Sequence, residues 1–404
     1  MPSTFAWLDQ SEEQRRRVLD VIDMFKEQGT VDELGLGTVR DALADILFPG
    51  TSNLMTRAAY YLFVPWMYQK LERQRTPAGE MGVKGRREEL KLVERLLECG
   101  ETEGVIGRRA RGSLRRLPSS LYWAGMKRLA ICHFDGSQED YHRGADRLYG
   151  LRRATAKTDD GDYTETLRGT WNAKLPAPPE DWPRRASLTL SRDQAEFLRD
   201  QISLCAPDSL FALLTRASSA PSGVEYPWAH PQRTAFSERI VWQLDHAQNL
   251  SEIMHGAALL YNLILSELTA NDELIRHYQS KLVEWAGMLH GRMSVLQRWN
   301  RRDAWVCLES EGARVPRPTH DFVDQWCDIT LAENIDAIRD NYRARVLVIN
   351  REKRLKGPLA RVQNTRAQEL WQGASSARRL QYRWGNASVI VKDIVTTLHG
   401  RDDA

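Results

Sequence analysis

The chain has 404 residues, 42% of them hydrophobic and 27% charged, which allows two or three domains of ordinary size. Disorder over most of its length is excluded, because this apolar content is enough to offset the entropy of ordering. The net charge of +3 says little, yet 46 of the 57 basic residues are arginine, whose planar guanidinium makes paired hydrogen bonds that lysine cannot.

Codon usage alone accounts for an arginine excess as readily as function does. The five cysteines, Cys99, Cys132, Cys205, Cys307 and Cys327, form no CxxC pair, which reads as reduced thiols in a cytoplasm. The N-terminal stretch MPSTFAWLDQSEEQRRR lacks the apolar core of a signal peptide. The longest apolar run, residues 58–67, is about half a membrane span and contains Pro65, so it reads as buried core and no membrane partner is expected.

Helical periodicity dominates in chain order. Ser11 and Gln14 have capping-box spacing, and Val18, Val21, Ile22 and Phe25 supply one apolar face before Gly29. Thr38 and Asp41 repeat the cap ahead of Val39, Ala42, Leu43, Ile46 and Leu47, a helix stopped by Phe48-Pro49-Gly50. A helix over 54–73 follows, with a kink expected at Pro65. Further helices are predicted over 86–97, 118–131 and 138–149. Over 152–185 the periodicity vanishes among Thr, Asp, Gly and Pro, which marks a linker or a functional loop.

Helices resume over 191–202 and 208–216. After a Pro-containing break at 217–235 comes the strongest helix, 237–270, and its partner 274–299, joined at Asn271-Asp272 as an αα-hairpin. The last helices are 321–331, 333–356 and 388–398, with Gly357-Pro358 as a stop. Residues 186–191 and 345–350 have strand-like composition, but the second fits better inside its helix. The fold expected is mainly α and multi-helical. Its domains are an N-terminal helical one over 1–150, an irregular linker over 151–187, and a C-terminal helical one over 188–404 built on the long hairpin.

Charge is strongly segregated. Residues 108–128 hold seven positive charges and no acid, and residues 343–392 hold twelve against Glu352 and Glu369. The remainder of the chain therefore carries −14. Basic segments with interleaved aromatics suit nucleic acid, since guanidinium groups displace counterions from phosphates and rings stack on bases. Salt bridges to the acidic remainder, or an acidic protein partner, would use the same residues. The nucleic-acid reading nominates Arg108, Arg109, Arg111, Arg115, Arg116, Arg128, Arg354, Lys356, Arg361, Arg379 and Arg383 as basic contacts, with Trp123 and Trp384 stacking.

Other constellations have simpler structural readings. FPGTS at 48–52 with Thr56 and Arg57 resembles an anion-binding turn but lacks the lysine and spacing of a P-loop. Glu139 with His142, and Glu252 with His255, have the Glu-x-x-His spacing of di-metal bundles, with Glu267 as a third carboxylate. His320-Asp321 is the pair used by helical metal phosphohydrolases, here placed at a helix start. No catalytic residue, metal ligand or cofactor site is nominated.

Several stretches resemble a bacterial family described only as a domain of unknown function. They are FAWLDQSEEQRRRVLDVIDMF at 5–25, DELGLGTVRDALADILFPGTSNLMTRAAYYLFVPWMY at 32–68, LPSSLYWAG at 117–125, HGAALLYN at 255–262 and LQYRWGNA at 380–387. The resemblance covers nearly the whole chain. It implies a gene neighbourhood of helicases, phospholipase-D-like nucleases and other phage-defence genes, and it supplies no catalytic residues. The function expected is a non-enzymatic accessory subunit of an antiviral defence system, binding DNA or a DNA-processing helicase or nuclease. A protein–protein scaffold without nucleic acid, or a metal-dependent phosphohydrolase or di-metal helical enzyme, are the alternatives.

Overall fold

The computed structural model describes residues 32–155, 169–220, 223–310, 312–332 and 334–400, for 151–155 the backbone alone. The helix expected over 11–29 lies outside them. The described residues form 15 α-helices and no strand; one isolated bridge pairs Cys132 with Trp171. In chain order the helices are α1 Gly37–Leu47, α2 Tyr60–Arg73, α3 Ala78–Glu98, α4 Pro118–Arg128, α5 Gln138–Thr155, α6 Arg192–Cys205, α7 Leu210–Thr215, α8 Glu238–Leu268, α9 Asp272–His290, α10 Met293–Gln297, α11 Arg301–Ser310, α12 Arg317–Ala332, α13 Tyr342–Lys356, α14 Thr365–Glu369 and α15 Trp384–His399. The mainly-α fold follows from the 3.6-residue periodicity. Residues 345–350 fall inside α13, and 186–191 form no strand. No helix among the described residues is long and apolar enough to cross a membrane.

The chain divides into two compact units, one of residues 1–42 and 245–380, the other of residues 43–244 and 381–404. These boundaries differ from the expected cuts at 150 and 187. Periodicity is local, whereas membership of a compact unit depends on contacts distant in sequence.

In the 43–244 unit, α2 is buried on nearly every side, from Tyr60 through Tyr68, and Pro65 sits inside it. The helix starts at Tyr60, later than expected, because the backbone before it is held otherwise. The Tyr122 hydroxyl accepts from Thr56 N at 2.9 Å, and Arg57 pairs with Asp393 at 2.9 Å. The FPGTS turn is closed internally: Thr51 Oγ1 donates to Phe48 O at 2.7 Å, and Gly50 takes a φ of +80°. Within 169–187, part of the stretch that the sequence reads as linker, Thr170, Trp171 and Ala186 are buried. Trp171 is buried and donates to Glu72 Oε1 at 3.0 Å, and Leu188 is buried behind it in the chain. Ser191 and Gln194 then cap α6 reciprocally.

In the other unit, Asp32 caps α1, accepting from Leu36 N at 2.7 Å; Thr38, expected as the cap, lies within the helix. The hairpin of α8, from Asp245 onward, and α9 is present. Its second arm ends at His290, and the shorter α10 follows. The two arms approach so closely at Gly256 that a Cβ there would lie 2.2 Å from the Trp285 ring. Trp285 in turn donates its Nε1–H to Glu252 O at 2.7 Å. Gly256→Ala is therefore expected to destabilise by about 1–3 kcal/mol through overpacking. Gly287→Ala on α9, where an added Cβ meets nothing within 4 Å, should instead stabilise by about 0.5–1 kcal/mol. Urea midpoints of the two variants test the pair.

Candidate nucleic-acid interface

The first basic segment starts in a loop between α3 and α4, with a short 3₁₀ turn over Arg111–Ser113, and continues through α4. Its backbone is fastened inward. Gly107 adopts a φ of +88°, Leu114 is buried, and Arg86 on α3 donates from Nη1 to Leu114 O at 2.8 Å and from Nη2 to Gly112 O at 3.1 Å. The side chains of Arg108, Arg109, Arg111 and Arg115 are exposed, Arg116 is half-buried, and Arg128 is exposed at the end of α4. Arg108 also donates to Thr102 O at 3.0 Å. No Asp or Glu occurs between residues 104 and 134. Among the described residues, Arg109, Arg111 and Arg128 have no carboxylate partner. On α3, Arg87 and Lys91 are exposed and line a shallow cavity of about 310 Å³ with Arg86. Sequence reading missed these two; their i, i+4 spacing on the solvent face of α3 was the available signal.

Beneath the loop lies a buried polar chain. Glu89 on α3 accepts from Ser119 N at 2.6 Å and from Ser119 Oγ at 3.0 Å, and so caps the start of α4. Gln138 Nε2 donates to Ser119 Oγ and to the Tyr68 hydroxyl, which lies 2.8 Å from His142 Nε2. With the Tyr68 oxygen already accepting from Gln138, its proton points to His142, which requires the Nδ1–H tautomer there. Burial pushes the Glu89 carboxyl up to about 7 and lowers the His142 imidazole.

The second basic segment behaves differently. Residues 343–380 belong to one compact unit and 381–392 to the other. Arg354 is exposed on α13. Lys356 and Arg361 both pair with the buried Glu33 carboxylate. Arg379 pairs with the buried Glu252 at 2.9 Å, which Arg292 also binds. Arg383 pairs with Asp45 and donates to Thr51 O at 2.8 Å. The nominated tryptophans are core residues. Trp384 is 2% exposed, packs on Phe48 and donates to Val224 O; Trp123 is 6% exposed and donates to Gly136 O. Their burial leaves no ring face for a base, which corrects the stacking assignment. Lys356, Arg361, Arg379 and Arg383 are likewise engaged by carboxylates and cannot reach phosphate without breaking those pairs.

The histidine constellations resolve into packing. His255 Nε2 donates to Ala377 O at 3.0 Å, and burial holds its imidazole down at about 4. His320 stacks on Trp305 and lies 3.1 Å from Asp324. Among the described residues, no group of three or more His, Cys, Asp or Glu is placed to hold a metal ion.

Fold and loop together define an all-α protein with an arginine-bearing surface element. The chain belongs to the family of unknown function DUF6361, whose model matches residues 2–397. No curated protein and no solved structure matches it.

Proposed function

We propose that the protein is a non-enzymatic accessory subunit of a bacterial antiviral defence system and binds DNA through the 107–116 loop. The observation that carries this reading is the loop's polarity of construction. Its backbone carbonyls are tied down by Arg86, while the side chains of Arg108, Arg109 and Arg111 are exposed in an acid-free stretch. Such a loop presents several phosphate contacts at little ordering cost, because the backbone is already fixed. Arg128 and Arg87 extend the basic character on the same unit, and of the nominated residues in the second segment Arg354 is the exposed one. The resemblance to a family encoded among helicases and nucleases supports the placement in defence.

The test is the salt dependence of binding to a labelled DNA duplex and to its single strand. Each phosphate contact contributes a slope of about −0.9 in log K against log salt on duplex. Arg109→Gln/Arg111→Gln is expected to reduce that slope by about two. Arg116→Gln, half-buried, should change it less. A wild-type affinity that does not respond to salt would overturn the reading.

A further inference from the structure

In the unit of residues 1–42 and 245–380, α12 and α13 leave a groove of about 350 Å³ between them. Its floor is apolar. Phe322 and Ile329 from α12 are buried, Val346 and Leu347 from α13 are half-buried, and Tyr342 stands at the rim, 79% exposed. From Pro318 to Ile329 the groove follows α12 for about 16 Å at the rise of an α-helix.

The chain itself arrives at one end of this groove. Arg351 lines it and donates from Nη1 to Pro318 O at 2.8 Å, which closes that end. The same guanidinium donates from Nε to Leu34 O at 2.8 Å and from Nη2 to Gly35 O at 3.2 Å. The described residues begin at Asp32, two positions before Leu34, so the preceding part of the chain sets out from beside Pro318 and Arg351. In that part, which lies outside the described residues, Val18, Val21, Ile22 and Phe25 have the spacing of one helix face. As a helix this face would be about 10 Å long, shorter than the groove. The connection from Phe25 to Asp32 reaches up to about 25 Å, enough to set the face down anywhere along it.

We propose that the groove holds the chain's own residues 18–25, docked by this apolar face. The connection to Asp32 sets the direction, with Phe25 toward Pro318 and Val18 toward Ile329. It also decides the occupant. A short tether keeps the face at an effective concentration on the order of millimolar, which a free partner at micromolar concentration does not match.

Hydrogen exchange on the full chain, read by mass spectrometry, tests the docking. The amides of residues 18–25 are expected to exchange at least about tenfold more slowly than unprotected ones. Helices this short are marginal in water by themselves, so protection reports docking. Val346→Asp in the groove should abolish that protection while the amides of α8 keep theirs. Phe25→p-benzoylphenylalanine leaves the groove unaltered and is expected, on irradiation, to cross-link within the chain to residues of α12 or α13. The proposal fails if residues 18–25 exchange freely, if Val346→Asp leaves their protection unchanged, or if the cross-links fall outside α12 and α13. Cross-links between chains, with protection that fades on dilution, would assign the groove to a second copy and overturn the intramolecular reading.

Discussion

Glu352→Ala is expected to destabilise the protein by about 3–5 kcal/mol, whereas Arg354→Ala, two residues on, should change stability by less than about 0.5 kcal/mol. Glu352 is fully buried. Its Oε1 accepts from the Tyr261 hydroxyl at 2.7 Å and from Arg361 N at 2.9 Å, and its Oε2 accepts from Val362 N at 3.1 Å. Truncation strands a hydroxyl and two backbone N–H groups, each costing about 1–3 kcal/mol when left without an acceptor. It also removes the carboxylate that lies 3.9 Å from Lys356, leaving Glu33 as the partner of that lysine and of Arg361. Glu352→Gln keeps one acceptor oxygen and should cost less than the alanine variant. Chemical denaturation followed by circular dichroism measures all three, and near-equal values for Glu352→Ala and Arg354→Ala would contradict the buried network.

Glu89→Gln is expected to stabilise the protein above neutral pH by on the order of 3 kcal/mol, with the gain vanishing in acid. Burial raises the folded-state carboxyl from 4.5 to about 7, against the opposing pull of the Ser119 hydrogen bonds and of Arg86. The folded state therefore holds a proton that the unfolded state has released between these values. The contribution of Glu89 to stability is fully present below about 4.5 and is lost as the pH rises through about 7. Glutamine mimics the protonated form at every pH. Other groups face the site from each packed element: Tyr68 from α2, Arg86 from α3 and His142 from α5. Only the difference between variant and wild type isolates Glu89. Unfolding free energies at pH 4.5 and pH 8 measure it, and a difference independent of pH would mean that Glu89 titrates as an exposed carboxylate.

The elements were legible to different depths. The α8–α9 hairpin was plain in the sequence because its apolar residues recur over many turns and Asn271 marks the turn. The ends were less so. Residues 54–59 carry helical periodicity, yet α2 begins only at Tyr60, since Tyr122 and Asp393 take the backbone and side-chain donors of Thr56, Arg57 and Ala58. The 169–187 stretch, rich in Pro and polar residues, reads as linker by composition, yet Thr170, Trp171 and Ala186 within it are buried.

The two basic segments carry the sharper lesson. Net charge along the chain found both and ranked the second higher. In the first, Arg108, Arg109 and Arg111 lie on a short loop that Arg86 fastens by its backbone, and their side chains are exposed. In the second, Lys356, Arg361 and Arg379 reach carboxylates that precede them by a hundred residues or more, and Trp384 is core. The sequence by itself determined the helical class, the long hairpin and where positive charge is concentrated, because periodicity and composition are local properties. Only the tertiary structure decided which charges are neutralised and which face solvent, because an ion pair such as Arg361 with Glu33 depends on two distant stretches of chain being brought together.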